Sequence, residues 1–452
     1  MARLRVEVIG LSNSSRPTAT REILRLAVPT LGALLVQPVL LLADSAIIGH
    51  WSTQSLAGLG LAQTVLLTIV GLCIFLAYST TAATARALGA GKLAKGLKAG
   101  VDAIWLAIFI GVSVAILITL VGGWILGLFA AEPDVISEGT KYLAVSGFGL
   151  PAMLSVQAAT GVIRGLQDTR TPLLVSVLGA VINVPLSITL VFWAGWGVVG
   201  AAVGTVLAQY LMAAILVAIV WRRSRQIGLG LPPDMSGVAS AWKDGVPILV
   251  RTLAMRIGML VLSACAAKLG TVQLAAHQIV LNLWNLLANG LDAIAIAAQS
   301  ITGKYLGAGD VKYVRSTTRQ MTRWGIYGGT GAALIVLACS WLLPKLFSPD
   351  AGVQTAVSVA LLVVVVCQPL AGCVYVLDGV LMGAGDTVYL AKVSAINLLL
   401  FLPAVAAWVL ANPQDNQGLI WLWIAYGGWY MTIRALTLWL RQRGTRWMRV
   451  GG

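Results

Sequence analysis

The sequence predicts an all-α membrane protein of twelve transmembrane helices, arranged as two pseudo-symmetric six-helix bundles with both termini cytoplasmic. Three observations lead there. Apolar runs of about 20 residues or more, long enough to cross a hydrocarbon core, recur along nearly all of the 452 residues. Only 10% of the residues are charged, too few to cover the surface of a soluble chain of this length. A set of residues also repeats at a fixed offset of 218 positions.

The apolar runs place spans at 24–49, 55–82, 101–121, 142–163, 172–193, 197–221, 246–267, 272–301, 324–343, 353–382, 388–410 and 418–438. The polar stretch before the first span carries Arg3, Arg5, Arg16 and Arg21. It lacks an apolar core followed by a small-residue cleavage site, so no signal peptide is expected. Five cysteines (Cys73, Cys265, Cys339, Cys367 and Cys373) all fall within spans without metal-binding spacing. They read as small apolar filler.

The net charge of +15 is a matter of topology rather than of nucleic-acid binding. With the N-terminus inside, nearly all of the 31 Lys and Arg residues fall on the inner side. Lys141, Lys268 and Lys345 fall outside, and Arg251, Arg256 and Arg434 lie within spans. Such a bias orients membrane proteins. The surplus also suits anionic lipid headgroups. The expected setting is the cytoplasmic (inner) membrane.

The repeat pairs Pro29 with Pro247, Leu88–Gly91 with Leu306–Gly309, and Pro151 with Pro369. Gly161, Gly165 and Asp168-Thr169 pair with Gly379, Gly383 and Asp386-Thr387, and Pro185 with Pro403. Six helices per unit leave both halves in one orientation, a parallel repeat about an axis along the membrane normal. Transporters built this way hold substrate between the halves and rock one against the other. The expected divisions are a cytoplasmic N-tail at 1–22, lobes at 23–221 and 243–440, a cytoplasmic linker at 222–242 and a basic tail at 441–452. The paired Leu-Gly-Ala-Gly segments suit tight turns and close helix approach. The Asp-Thr pairs suit helix caps.

Ionisable groups within a bilayer are costly and mark function by default. Asp44, Asp292 and Asp378 are the acids well inside spans. Asp44 has no base near it in sequence, and the neutral acid is far cheaper to bury than the anion. Such a carboxyl can exchange a proton for an organic cation; a structural Asp paired with a distant polar group is the plainer alternative. Gln37 shares its helical face, and Pro38 between them permits a bend. Asn282, Asn285, Asn289, Asp292 and Gln299 form a polar stripe on the eighth helix, which either lines a cavity or bonds neighbouring helices. Gln368, Tyr375 and Asp378 share a face of the tenth. Asn183 and Ser187 lie one turn apart around Pro185. Arg256, near mid-span, is expected to pair with one of the acids. Of the tryptophans, Trp51, Trp196, Trp221, Trp421 and Trp423 suit an interfacial belt, and Trp284 is a candidate cavity aromatic. His50 and His277 bring no metal motif, so an enzyme is not expected.

At these residues the chain resembles a known family. Pro29 followed by Leu41-Leu42-Ala43-Asp44-Ser45-Ala46-Ile47-Ile48-Gly49-His50 is similar to the first helix of multidrug and toxic compound extrusion (MATE) transporters. The nearest branch is the DNA-damage-inducible protein F type. Leu291-Asp292-Ala293, running to Gly303 and Leu306-Gly307-Ala308, and Leu377-Asp378-Gly379-Val380-Leu381-Met382-Gly383 carry the resemblance into the second half. It implies export of small amphipathic, often cationic compounds in exchange for H+ or Na+, with no cofactor beyond the coupling ion. It implies a proton and substrate role for Asp44, with Asn183 in the same lobe. Many relatives have an acid where this chain has Ser187, and relatives of this branch often have Glu at Gln299. These departures favour H+ over Na+. The partners expected are small organic substrates and membrane lipid, the state a monomer. The alternatives are Na+ coupling and a flippase for a lipid-linked precursor, which requires more cationic side chains for a diphosphate.

Overall fold

The computed structural model describes residues 19–129, 131–230 and 232–451; most of the N-tail, including Arg3, Arg5 and Arg16, lies outside the described residues. A lipid environment leaves each helix to satisfy its own backbone, and the described residues are almost wholly helical. In chain order the helices are α1 (Ala19–Gly49), α2 (Thr53–Leu72), α3 (Phe75–Gly89), α4 (Leu93–Gly127), α5 (Pro133–Gly147), α6 (Leu150–Gly165), α7 (Arg170–Ile188) and α8 (Gly197–Gln226). The second half continues with α9 (Met235–Lys268), α10 (Thr271–Gly307), α11 (Val311–Ala338), α12 (Leu343–Phe347), α13 (Ala351–Gly383), α14 (Thr387–Ala411), α15 (Asp415–Trp423) and α16 (Met431–Arg443).

Among the described residues, nine helices or continuous helix pairs are long and apolar enough to span a membrane, and α5 with α6, bent by 51°, makes a tenth. The other two spans have physical reasons to look weaker. The inner end of α11 carries Lys312, Arg315, Arg319 and Arg323. The twelfth span is α15 and α16 joined through a π-helical stretch, Ile424–Tyr430. Large apolar side chains face outward along the bundle, Leu120 at 77% exposed and Leu410 at 86%, as a lipid-facing wall requires.

The repeat is written into the backbone. Gly91 (φ +70°) matches Gly309 (+80°), Gln167 (+66°) matches Gly385 (+74°), and Gly197 (+53°) matches Asp415 (+51°), each at the same 218-residue offset. Where only one partner is glycine, the left-handed turn persists all the same. Asp168 caps α7 by accepting from the Thr171 amide at 3.1 Å. Its counterpart Asp386 makes no such bond; it pairs with Arg441, whose Nε lies 2.7 Å from Oδ2. The cap reading therefore holds for one copy only. Between the halves, Asp234 caps α9 through Ser236, and the same bonds hold its carboxyl below the usual carboxylate range. Both flanking helices run past the apolar limits, α8 to Gln226 and α9 from Met235.

Hydrogen bonds between the lobes cluster at the cytoplasmic end. Glu22 of α1 meets Lys304 (3.3 Å), Tyr305 (3.2 Å) and Tyr313 (3.2 Å). The Gln167 amide donates to the Ser300 hydroxyl at 2.6 Å, and that hydroxyl donates to the Arg164 carbonyl at 2.8 Å. Arg86 donates to the carbonyls of Ala384, Arg449 and Gly451. The repeated Leu-Gly-Ala-Gly segments meet here. A Cβ on Gly89 would collide with the Lys304 carbonyl, and one on Gly307 with the Arg86 carbonyl, while Gly91 and Gly309 supply the turns. These contacts seal the inner face.

A side chain at Gly307 should break that seal. Gly307→Val is expected to cost about 1–3 kcal/mol of overpacking in this state, a shift of about 5- to 150-fold toward an open inner face. In a Ser300→Cys background, cytoplasmic labelling by a membrane-impermeant maleimide should accelerate accordingly; an unchanged rate would mean that the glycine contact does not hold the lobes together.

Candidate functional site

Each lobe buries an acidic residue and treats it differently. In the N-terminal lobe, α1 turns Asp44 inward, leaving it 4% exposed. The Thr205 hydroxyl of α8 lies 3.4 Å from Asp44 Oδ2, and Asn183 of α7 donates to Thr205 Oγ1 at 3.1 Å. Ser187, one turn beyond Asn183, is fully buried against Gly204. Tyr142 of α5 faces Asp44, Gln63, Ser146 and Thr205. Asp44 Oδ1, Asn183 Oδ1, Ser187 Oγ, Gln63 Nε2 and Ser146 Oγ have no hydrogen-bond partner among the described residues. No Lys, Arg or His among those residues pairs with Asp44. A lone carboxyl with spare acceptor capacity, in a polar but cation-free pocket, is a group whose charge can change.

The C-terminal lobe does the reverse. Arg251 of α9 and Arg434 of α16 both donate to Asp378 of α13, the latter at 2.7 Å. All three are buried. Half-buried Asp292 stands within electrostatic reach of both arginines, Arg164 and Asp378, so two acids balance the arginine pair. Buried charge is tolerated when paired in this way. Tyr375, on the same face of α13 as Asp378, adjoins this group.

Several expectations need correcting. Arg256 pairs with no acid among the described residues; it is exposed and reaches across toward Gly71 of α2. Gln37 is exposed whereas Asp44 is buried. Trp284 (1% exposed) packs on Trp423, Tyr426 and the C-terminal core instead of a cavity, and Trp423, fully buried, belongs to that core rather than to an interface. The stripe on α10 serves both of its readings in succession. Asn282 and Asn285 are exposed, Asn289 and Asp292 half-buried, and Gln299 fully buried. Gln299 donates to the Tyr78 carbonyl at 2.7 Å, so the inner end of the stripe bonds the other lobe while its outer end is exposed. The residues that sequence reasoning missed in the N-terminal pocket are Thr205, Tyr142, Gln63 and Ser146. None has a spacing that connects it to Asp44.

The MatE family model matches this chain twice, over residues 29–189 and 247–407. The two matches stand one repeat offset apart. The chain belongs to the MATE family. It is therefore a polytopic membrane transporter and not an enzyme. It is 31% identical to DETOXIFICATION 44, chloroplastic, of Arabidopsis thaliana, over 81% of this chain and 72% of that one. To DNA damage-inducible protein F of Escherichia coli it is 26% identical, over 91% and 90%. The fold matches the crystal structure of the Vibrio cholerae MATE transporter VcmN in its bent form, with TM-score 0.85 at 21% identity, over 95% of this chain and 97% of that one.

The two lobes of this MATE protein predict opposite responses to neutralising an acid. Asp378→Asn strands Arg251 and Arg434 and should cost about 3–5 kcal/mol, seen as a large fall in thermal unfolding temperature in detergent. Asp44→Asn, which removes a charge with no cationic partner, should leave that temperature at or above the wild-type value.

Proposed function

We propose that this protein is a secondary antiporter that exports small amphipathic, often cationic, molecules in exchange for H+, by alternating access of its two lobes. The observation that carries the reading is Asp44: buried, unpaired with any cation, and half-satisfied by Thr205. Ionised, it attracts a cationic substrate entering the gap between the lobes from the cytoplasm. Rocking closes the inner face and opens the outer one. An external proton then neutralises Asp44, the attraction is lost and the substrate leaves. A proton can drive the cycle only because it changes the affinity for substrate in one state relative to the other.

Proton coupling is favoured over sodium because the pocket around Asp44 offers one carboxylate, with Ser187 and Asn183 as neutral neighbours. A lipid-diphosphate flippase is disfavoured because Asp378 already ties Arg251 and Arg434, which leaves Arg256 as the one of the three arginines within spans that is exposed.

In proteoliposomes, a proton gradient acid outside the exporting face should drive uphill dye efflux, and a sodium gradient should not. Asp44→Asn should abolish the proton-driven component while leaving the protein folded. Undiminished proton-linked efflux from that variant removes Asp44 from the mechanism, and efflux driven by sodium alone removes the choice of ion.

A further inference from the structure

Asp44 lies in the outer half of its lobe, and the structure provides a polar route to it that does not start in the gap between the lobes. Helices α2 and α5 approach closely: a Cβ on Gly58 would stand only 2.6 Å from the Gly139 nitrogen. This proximity lets the Ser55 hydroxyl donate to Glu138 Oε2 at 2.9 Å, while Lys141 Nζ lies 2.7 Å from Oε1. Glu138, Ser55, Trp51, Gln54 and Asp134 line an open cleft of about 330 Å³ at the outer end of the lobe. One turn inward from Glu138, on the same face of α5, is Tyr142, 3% exposed. A further turn inward is Ser146. Tyr142 faces Asp44, Thr205, Gln63 and Ser146. Gln63 Nε2, Ser146 Oγ and Asp44 Oδ1 each retain capacity for another hydrogen bond. The charged groups at the cleft are Lys141, Asp134 and Glu138; further in, Asp44 is the charged group Tyr142 faces.

We propose that Glu138 and Tyr142 form a proton route from the outer cleft to Asp44, held inside the N-terminal lobe and separate from the substrate passage. This rests on the proton-antiport reading. A hydronium ion in the cleft gives its proton to the Glu138 carboxylate and leaves as water. The Glu138 acid passes a proton inward, through water bridging one helical turn, to the Tyr142 oxygen as the Tyr142 hydroxyl releases its own toward the Asp44 carboxylate. Tyr142 and Glu138 end unchanged, and Asp44 ends neutral. Lys141 and Ser55 position Glu138, and Ser55 lends it a donor whichever oxygen is protonated. The incoming proton and the departing cation then need not pass one another in the same channel.

The test uses the full chain in proteoliposomes, with proton uptake followed by an external pH dye and substrate binding measured at equilibrium. Glu138→Gln and Tyr142→Phe should each slow proton-coupled exchange by about tenfold or more and flatten its dependence on external pH, and Glu138→Gln should do so with equilibrium affinity for the fluorescent substrate unchanged. Glu138→Asp should restore much of the rate and the pH profile, which a purely structural role of Glu138 would not require. Wild-type rates in both Glu138→Gln and Tyr142→Phe overturn the route while leaving antiport intact. Absence of proton coupling in the wild-type chain overturns the antiport reading and the route with it.

Discussion

The cost of holding a charge away from water governs this molecule. A bilayer core offers no solvent to an ion, so each buried acid must be matched or be allowed to lose its charge. The C-terminal lobe matches: Asp378 is clasped by Arg251 and Arg434, with Asp292 nearby. The N-terminal lobe leaves Asp44 among hydroxyls and amides. One lobe thereby pairs its buried acid with two cations, and the other holds a carboxyl with no cationic partner among the described residues. The contrast arises although both lobes come from one repeated unit.

That repeat shows how the same backbone can hold different chemistry. At the offset of 218, the positions of Asp44, Asn183, Thr205 and Tyr142 become Leu262, Phe401, Trp423 and Ala360, each fully buried. Conversely, Arg251, Asp378 and Arg434 fall on Ala33, Thr160 and Leu216. Neither polar centre has an image in the other lobe. What is shared is the bend, the turn and the close contact: Pro185 and Pro403, the paired left-handed residues, and the two glycine segments that meet at the inner face.

Much of this was legible in the sequence because it depends on local rules. Twelve spans follow from hydropathy, orientation from the placement of Lys and Arg, and duplication from a constant offset. The dual role of Leu88–Gly91 and Leu306–Gly309 as turn and close contact also followed from residue type. Partnerships were not legible. Arg251 and Arg434 reach Asp378 across 127 and 56 positions, and Arg256, five residues from Arg251, looked equally able to do so. Helical periodicity tells which residues share a face but not what that face meets. For that reason periodicity alone puts Trp284 at a cavity and Trp423 at an interface, whereas both pack in the core. Thr205 and Tyr142 are silent for the same reason, since a single hydroxyl on a helix gives no sign of its neighbour.

The divergence of the two polar centres bears on how such a molecule can change over generations. The inner contacts use backbone carbonyls and glycines as well as side chains, and they lie away from Asp44. Substitutions around Asp44 can change that polar centre without disturbing the parts by which the halves close on each other. Duplication followed by unequal drift thus left a mechanical frame held in common and a chemistry free to be revised in one copy at a time.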